Sequence, residues 1–244
     1  MTAPTAIILA AGRGLRMGPR GVLTPKGLLT LGGETLVGRS IATLRRRGVE
    51  KIRIVTGHLS DAYEAAAAAW GAGVELRYNP LYAERGSLHS LLVGMEDEAG
   101  SCMVLESDMI YEPRALDFPF AETSWLTLSG PTGAGDEVYV WTAGPARLLD
   151  MSKKAAHRPE PHRGELVGVL YLSREEARLM REVGARVVAD APKADYEAGL
   201  VALAAQATIE CPRIGDLAWA EIDDEAMLKN AEGVMRRIEG ASAA

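Results

Sequence analysis

The strongest constraint on the fold lies near the start of the chain, where a short apolar run leads directly into a glycine-rich turn. Residues 6–11 are all apolar and glycine follows them at once, so the pattern predicts a short buried strand. Residues 12–17 read Gly-Arg-Gly-Leu-Arg-Met. Glycines let a backbone approach a ligand closely and turn its N–H groups towards phosphate oxygens. Arg16 and Lys26 add positive charges that suit phosphate binding.

The turn alone does not identify a ligand. It lacks the GxxxxGKS or GxxxxGKT spacing of a P-loop and the GxGxxG spacing of a dinucleotide site. An ordinary strand-to-helix connection with solvated arginines fits these residues equally well. The rest of the chain is needed to decide between the two interpretations.

Composition excludes several classes of function. The chain has 244 residues, enough for one large α/β domain or a domain with a small lobe. Its net charge is −6, whereas a general nucleic-acid binder carries a basic surface, so we expect no nucleic-acid partner. The two cysteines, Cys102 and Cys211, do not make a disulfide framework. No apolar stretch reaches membrane-spanning length and no signal peptide is recognisable, so we expect a cytoplasmic protein without membrane contact.

The first half of the chain alternates between predicted strands and predicted helices. Apolar spacing predicts strands at 6–11, 51–56, 74–78 and 101–105, and helices at 34–47, 60–70 and 87–96. This alternation is typical of an α/β fold with a mostly parallel, Rossmann-like sheet and helices on both faces. The second half is less regular. It predicts strands at 125–129, 137–142, 166–172 and 217–222, helices at 173–183, 194–206 and 224–238, and a polar loop at 153–165.

Two aspartates lie where a ligand is expected. Asp108 follows the predicted strand 101–105, and Asp223 follows the predicted strand 217–222. Ligands of open α/β sheets bind beyond the carboxyl ends of the strands, and a carboxylate there can hold Mg²⁺ next to phosphates. Each residue also has a structural interpretation. Asp108 suits the cap of a turn, and Asp223 or Asp224 suits the cap of the last helix.

A longer set of residues resembles the signature of nucleotidyltransferases that attach a nucleoside monophosphate to a phosphorylated small molecule. The set comprises 9–17 (Leu-Ala-Ala-Gly-Arg-Gly-Leu-Arg-Met), 25–29 (Pro-Lys-Gly-Leu-Leu), Gly33, Leu36 and Val37, and the segments 105–108 and 221–223 resemble the family's metal-binding motifs. Within the family, 82–84, 90–91 and 221–223 are most similar to the CTP:phosphocholine and CTP:2-aminoethylphosphonate cytidylyltransferases. Where that group commonly has two asparagines, this chain has Gly86 and Ser87.

The resemblance implies a GT-A-like nucleotidyltransferase fold in a single domain over residues 1–240. A nucleotide-binding half would span 1–112 and an acceptor-binding half would span 113–240, followed by a tail at 241–244. The composition of the last five residues, Gly-Ala-Ser-Ala-Ala, predicts disorder there. The implied reaction transfers CMP from CTP to a small phosphorylated or phosphonate acceptor, releases pyrophosphate and uses Mg²⁺ as cofactor. A homodimer is left open.

The resemblance also implies roles for individual residues. Asp108 and Asp223 would hold the metal, and Arg16 and Lys26 would be catalytic. The implied nucleotide-binding residues are Leu9, Ala10, Ala11, Gly12, Gly14, Arg16, Ser87 and Glu106. The implied acceptor-binding residues, which would give an aromatic and acidic surface for a cationic group, are Lys26, Tyr139, Lys153, Tyr196 and Glu197.

Two alternative functions remain at this point. A sugar-1-phosphate or inositol-phosphate nucleotidyltransferase would use the same residues with another acceptor. A non-catalytic nucleotide-binding subunit is less consistent with the sequence, because Arg16, Lys26, Asp108 and Asp223 are all present together.

Overall fold

The computed structural model describes residues 3–242 of the chain. Its strands are β1 (Thr5–Ala10), β2 (Thr30–Leu31), β3 (Glu34–Thr35), β4 (Ile52–Thr56), β5 (Val74–Tyr78), β6 (Cys102–Glu106), β7 (Met109–Tyr111), β8 (Ser124–Ser129), β9 (Tyr139–Ala143), β10 (Arg147–Ser152), β11 (Gly164–Leu172), β12 (Ile209–Glu210), β13 (Arg213–Ile214) and β14 (Trp219–Glu221). Its helices are α1 (Pro19–Leu23), α2 (Leu36–Arg46), α3 (Ser60–Trp70), α4 (Ser87–Gly94), α5 (Arg174–Asp190), α6 (Tyr196–Ala204) and α7 (Glu225–Ser242).

A ten-stranded sheet forms the centre of the described chain, in the order β13-β8-β12-β10-β9-β11-β6-β1-β4-β5. Strands β6, β1, β4 and β5 are parallel, and Ile8 of β1 lies opposite both Ile54 of β4 and Leu105 of β6. The predicted α/β fold is confirmed. Because the carboxyl ends of these parallel strands meet at one edge, the residues that follow β1, β4 and β6 are neighbours.

Helices cover both faces of the sheet, and alternate residues of β1 explain why. Successive side chains of a strand point to opposite faces. Ile7 belongs to a core that contains Leu91 of α4 and Leu200 of α6. Ile8 belongs to a second core on the other face, together with Ile41 of α2. The uninterrupted apolar sequence of β1 is therefore required by burial on both sides.

The second half of the sheet is antiparallel where it adjoins the first. Strand β11 runs antiparallel to β6, and β9 and β10 extend the sheet in the same way. Strand β10 was not predicted, and it immediately precedes the polar loop predicted at 153–165. The predicted strand 166–172 begins earlier, at Gly164.

The last strand is shorter than predicted and lies outside the ten-stranded sheet. Strand β14 pairs antiparallel with β7, which has no counterpart in the sequence prediction. In this pair Ala220 lies opposite Ile110, and Glu221 lies opposite Met109. Helix α7 contributes Met235 to a third core with Ile110 and Ile222, which holds the small sheet in place.

Two helices extend beyond their predicted ends. Helix α5 continues past the predicted end at residue 183 because Val187 and Val188 also pack against the core. Ser173 and Glu176 have the spacing of a capping box, but none is formed, since the Ser173 hydroxyl bonds to the Glu176 carboxylate and caps no backbone N–H. Helix α7 enters the predicted tail and reaches Ser242, while residues 243–244 lie outside the described part.

None of the helices in residues 3–242 combines the length and apolar character that crossing a membrane requires.

Candidate active site

Pairing of β7 with β14 brings the two predicted metal-binding aspartates to one edge of the molecule. Asp108 lies between β6 and β7, and its carbonyl oxygen accepts a hydrogen bond from the N–H of Ile222 over 2.8 Å. Asp224, and not Asp223, caps α7, because its Oδ1 accepts from the N–H of Met227 over 2.8 Å. The Asp223 carboxylate is therefore available to the site.

Lys26 joins these two aspartates. Its ammonium donates a hydrogen bond to Asp108 Oδ2 over 2.8 Å and a second one to Asp223 Oδ1. All three side chains are largely buried, and that of Asp223 is only 4% exposed. Burial lowers the pKa of Lys26, but the charges of both aspartates raise it by more than burial lowers it. The net shift is therefore upward, and the ammonium stays protonated. The structure thus places three of the predicted residues in one cluster.

The glycine turn folds back so that Lys26 lies beneath it. Gly14 has a φ of 59°, in the left-handed region that glycine adopts without strain. A Cβ atom on Gly21 would lie 2.4 Å from the carbonyl oxygen of Gly14, so the two segments approach closely only because no side chain intervenes. Gly14 itself lies over the Lys26 side chain, which positions the lysine.

Arg16 is turned towards carboxylates. Its guanidinium donates to Asp136 Oδ2 over 3.1 Å and to Asp223 Oδ2. Asp136 belongs to the glycine-rich loop between β8 and β9, which the sequence prediction did not include in the site. In this arrangement the predicted phosphate-binding arginine is held by two acidic side chains.

Five carboxylates gather around Lys26 and Arg16. Glu106, Asp108 and Glu221 form one group and Asp136, Glu221 and Asp223 a second, and within each group one oxygen per residue lies within 4.8 Å of the others. Burial and the neighbouring carboxylates raise the pKa of both Glu106 and Glu221, because like charges disfavour ionisation. Hard oxygen ligands of this kind suit Mg²⁺. The residues present therefore fit the predicted cation.

A first cavity of about 330 Å³, here named the nucleotide-side cavity, lies at the carboxyl edge of the parallel strands. It is lined by Asp108 and by the following residues from the predicted nucleotide-binding and acceptor-binding sets: Leu9, Ala11, Gly12, Ser87, Glu106, Lys153, Tyr196 and Glu197. Ala10 and Gly14 lie elsewhere, since Ala10 packs in the second core and Gly14 covers Lys26.

A second cavity of about 390 Å³, here named the acceptor-side cavity, adjoins the first. Glu106, Lys153 and Glu197 line both cavities, so the two meet at these side chains. Glu137 and Trp219 are among the residues that line only the acceptor-side cavity. Two residues of the predicted acceptor-binding set, Lys153 and Glu197, therefore lie at the junction of the cavities.

The predicted aromatic residues occupy other positions. Tyr139 is outside the described lining of both cavities, and its hydroxyl donates to Oε2 of Glu137, a residue of the acceptor-side cavity, over 3.3 Å. Tyr196 is buried and lines only the nucleotide-side cavity, where its hydroxyl donates to Glu106 Oε1 over 2.5 Å. The structure does not assemble the aromatic surface that the sequence predicted for the acceptor.

Some residues of the site were missed by sequence reasoning, although a signal existed for two of them. Trp219 and Glu221 lie two residues apart on the predicted last strand, and side chains two apart on a strand share a face. Asp136 and Arg85, which lines the nucleotide-side cavity, lie in loops where no periodicity marks them.

The sequence of the first half matches a known family. Residues 6–123 fit the family model described as the MobA-like NTP transferase domain. This part of the chain, just under half of it, resembles a MobA-like NTP transferase domain. The domain includes the glycine turn, Lys26 and Asp108, whereas Asp223 and most of the acceptor-side cavity lie beyond its end.

Proteins with similar sequences extend the relationship beyond the MobA-like domain. The chain is 28% identical over 238 residues to a CMP-5'-(3-aminopropyl)phosphonate synthase of Streptomyces rubellomurinus, covering 93% of this chain and 38% of that protein. It is 33% identical over 116 residues to a 2-aminoethylphosphonate cytidylyltransferase of Lancefieldella rimae, covering 45% of this chain and 47% of that protein. The chain thus spans less than half the length of both curated relatives.

A solved structure shows that nearly all of the chain, and not only residues 6–123, has a nucleotidyltransferase fold. The CTP:phosphocholine cytidylyltransferase of Streptococcus pneumoniae superposes with a TM-score of 0.79 at 19% identity, covering 96% of this chain and all of that one. The predicted resemblance to the nucleotidyltransferases of the phosphocholine and aminoethylphosphonate type is therefore confirmed.

Proposed function

We propose that the protein is a cytidylyltransferase that transfers CMP from CTP to a small phosphorylated or phosphonate acceptor, of the phosphocholine or 2-aminoethylphosphonate type, and releases pyrophosphate. One observation carries the proposal. The carboxylates of Asp108 and Glu221 lie within 4.8 Å of each other, yet they line two different, adjoining cavities. A group-transfer enzyme needs this arrangement, because its two substrates must meet at one charged centre. The names of the relatives support cytidylyl transfer in particular.

The reaction requires no covalent bond between the protein and its substrates. An oxygen of the acceptor attacks the α-phosphorus of CTP in line, a new P–O bond forms, and the bond to pyrophosphate breaks. The attacking oxygen is already anionic, so no general base is needed. Catalysis of this type rests on positioning and on neutralising charge.

The chain's own residues supply both effects. Backbone groups near Gly12 hold the nucleotide, and Lys26, which stays protonated, stabilises negative charge at the α-phosphate or the acceptor. Arg16 exchanges Asp136 for the β- and γ-phosphates. Lys153 lies at the junction of the cavities, where it attracts the acceptor's phosphate or phosphonate.

Asp108 and Asp223 would hold Mg²⁺, with Glu221 beside both. When bound, the cation supplies charge neutralisation between the nucleotide phosphates and the acceptor.

The test is pyrophosphate release, measured with each of four NTPs against phosphocholine, 2-aminoethylphosphonate, glucose-1-phosphate and inositol-1-phosphate in the presence of Mg²⁺. We expect turnover with CTP and an aminated acceptor, and much slower turnover after Lys26→Met; Lys229→Met, at an exposed position, is the matched control. Release only with UTP or dTTP and a sugar phosphate would establish the alternative enzyme. Binding of CTP without any turnover would indicate a non-catalytic subunit.

A further inference from the structure

We propose that the acceptor-side cavity recognises a protonated amine that donates hydrogen bonds, in preference to a quaternary ammonium or a neutral sugar. The inference rests on the proposed function and specifies its acceptor.

The cavity is strongly acidic. Its described lining contains a single lysine, Lys153, against six acidic side chains: Glu106, Asp136, Glu137, Glu197, Glu221 and Asp224. Glu106 and Glu221, whose pKa is raised, add least to the negative charge, and the other four still outnumber the lysine. A space enclosed by this excess of negative charge favours a cationic ligand over a neutral one. The charge alone therefore disfavours a sugar or an inositol ring.

Three of the six carboxylates already have partners in the chain. Asp136 is paired with Arg16, Asp224 caps α7, and Glu106 accepts a hydrogen bond from Tyr196. Glu221 belongs to both carboxylate groups of the metal site. Only Glu137 and Glu197 are left to meet an organic cation.

Glu197 is the stronger candidate. Neither Glu137 nor Glu197 forms an ion pair within the part of the chain that the structure describes, but Glu137 accepts the Tyr139 hydroxyl. The Oε2 atom of Glu197 is buried and has no hydrogen-bond partner. A buried acceptor without a donor is costly, so this oxygen indicates a ligand that brings an N–H group.

The side chains that line the cavity favour a primary ammonium over a quaternary ammonium. A primary ammonium offers three N–H donors, and a trimethylammonium offers none. Proteins that bind quaternary ammonium groups surround them with several aromatic rings. Trp219 is the one aromatic residue in the described lining of this cavity, so it cannot form such a cage alone.

The position of Lys153 accounts for the negatively charged end of the ligand. Lys153 and Glu197 both lie where the two cavities meet, so one short zwitterion can place its phosphate or phosphonate at the lysine and its ammonium at the glutamate. An aminoalkyl phosphate or phosphonate has this form.

The experiment compares phosphoethanolamine with phosphocholine, which differ only by three N-methyl groups. Both are assayed with CTP and Mg²⁺ on the wild-type chain, on Glu197→Gln and on the control Glu64→Gln, which changes an exposed glutamate of α3. We expect the wild type to favour phosphoethanolamine in kcat/KM by about 10- to 100-fold, the range of a hydrogen bond to a charged group. Glu197→Gln should remove most of that preference through KM, and the control should keep it.

Three other outcomes of this experiment would contradict the inference. Equal or better use of phosphocholine by the wild type would overturn the inference and leave the cytidylyl transfer intact. A loss in Glu197→Gln that is the same for both acceptors would show a structural role for Glu197 and would equally overturn the inference. Absence of transfer to every acceptor would refute the proposed function, and the inference would fall with it.

Discussion

The ammonium of Lys26 lies 2.8 Å from the Oδ2 atom of Asp108, although the two residues are 82 positions apart in the chain. The contact connects the segment that follows the glycine turn with the end of β6. A cation that belongs to the protein thus lies among the carboxylates of the proposed metal site. Its removal should affect both the reaction and the stability of the fold.

Lys26→Met tests this double role. The methionine keeps much of the volume of the lysine but leaves Asp108 and Asp223 without their buried cation. Loss of one partner from a buried ion pair costs about 3–5 kcal/mol, so we expect a lower free energy of unfolding in urea titrations. We also expect kcat to fall by about 100- to 1,000-fold, as for other groups that stabilise transition-state charge.

The exposed control Lys229→Met should leave both quantities unchanged. If Lys26→Met keeps kcat within a factor of two of the wild type, Lys26 does not take part in the reaction.

Metal binding can be tested without any substrate. Because a ligand that binds only the folded state stabilises it, Mg²⁺ should raise the melting temperature of the wild-type chain. Asp108→Asn and Asp223→Asn each remove a carboxylate from one of the two acidic groups, so we expect a smaller shift in both variants. Asp190→Asn, at the exposed end of α5, should keep the full shift. Equal shifts in all four proteins would exclude these aspartates as metal ligands.

A glycine at the start of α4 gives a prediction about packing. A Cβ atom on Gly86 would lie 2.2 Å from the carbonyl oxygen of Ala194, and the next residue, Ser87, accepts a hydrogen bond from the N–H of Tyr196 over 2.9 Å. Gly86→Ala must therefore push α4 away from α6, and we expect it to lower the free energy of unfolding by about 1–3 kcal/mol.

Gly233→Ala is the matched control, and we expect it to change the free energy of unfolding in the opposite direction. Gly233 lies inside α7, and its added Cβ would meet nothing closer than 3.9 Å. Alanine should stabilise the helix there by about 0.5–1 kcal/mol, which chemical denaturation can resolve. A destabilised Gly233→Ala together with an unchanged Gly86→Ala would show that the packing around α4 differs from this description.

The comparison of sequence with structure shows which interactions local patterns can reveal. Strand β1 was predictable because both faces are buried, which requires a continuous apolar run. The pairing of β7 with β14 was not, because each strand has three residues and their contact joins distant parts of the chain. That pairing decides which aspartate caps α7 and which faces Lys26. The sequence therefore identified Asp108 and Asp223 as candidates but could not place Glu221 between them.

The same limit applies to the acceptor residues. Tyr139 and Tyr196 were chosen for their chemistry, but a residue type does not reveal whether its ring lines a cavity. Hydroxyl groups of both residues bond to carboxylates, Glu137 and Glu106, which positions acidic groups instead of presenting aromatic faces. Only the three-dimensional arrangement shows that the acceptor-side cavity is acidic and contains little aromatic surface.

Glu98, at the opposite edge of the sheet, gives a prediction on pH. Its Oε2 accepts hydrogen bonds from Thr5 over 2.7 Å and from Lys51 over 2.8 Å, and its Oε1 accepts from the N–H of Gly100 over 2.9 Å. Burial raises the pKa of Glu98, but these bonds and the charge of Lys51 lower it more, to about 2. The carboxylate thus ties together the segments that begin β1, β4 and β6.

The sign of the pH effect follows from this lowered pKa. A carboxyl group that is more acidic in the folded state stabilises the fold above its unfolded pKa, and this contribution is lost as the pH falls from about 4.5 towards 2. Glu98→Gln should therefore lower the free energy of unfolding by about 1–3 kcal/mol at pH 7. The difference from the wild type should shrink through that acidic range, whereas Glu64→Gln should match the wild type at every pH. A deficit in Glu98→Gln that stays constant between pH 7 and pH 2 would mean that the stabilisation comes from packing of the side chain and not from its charge.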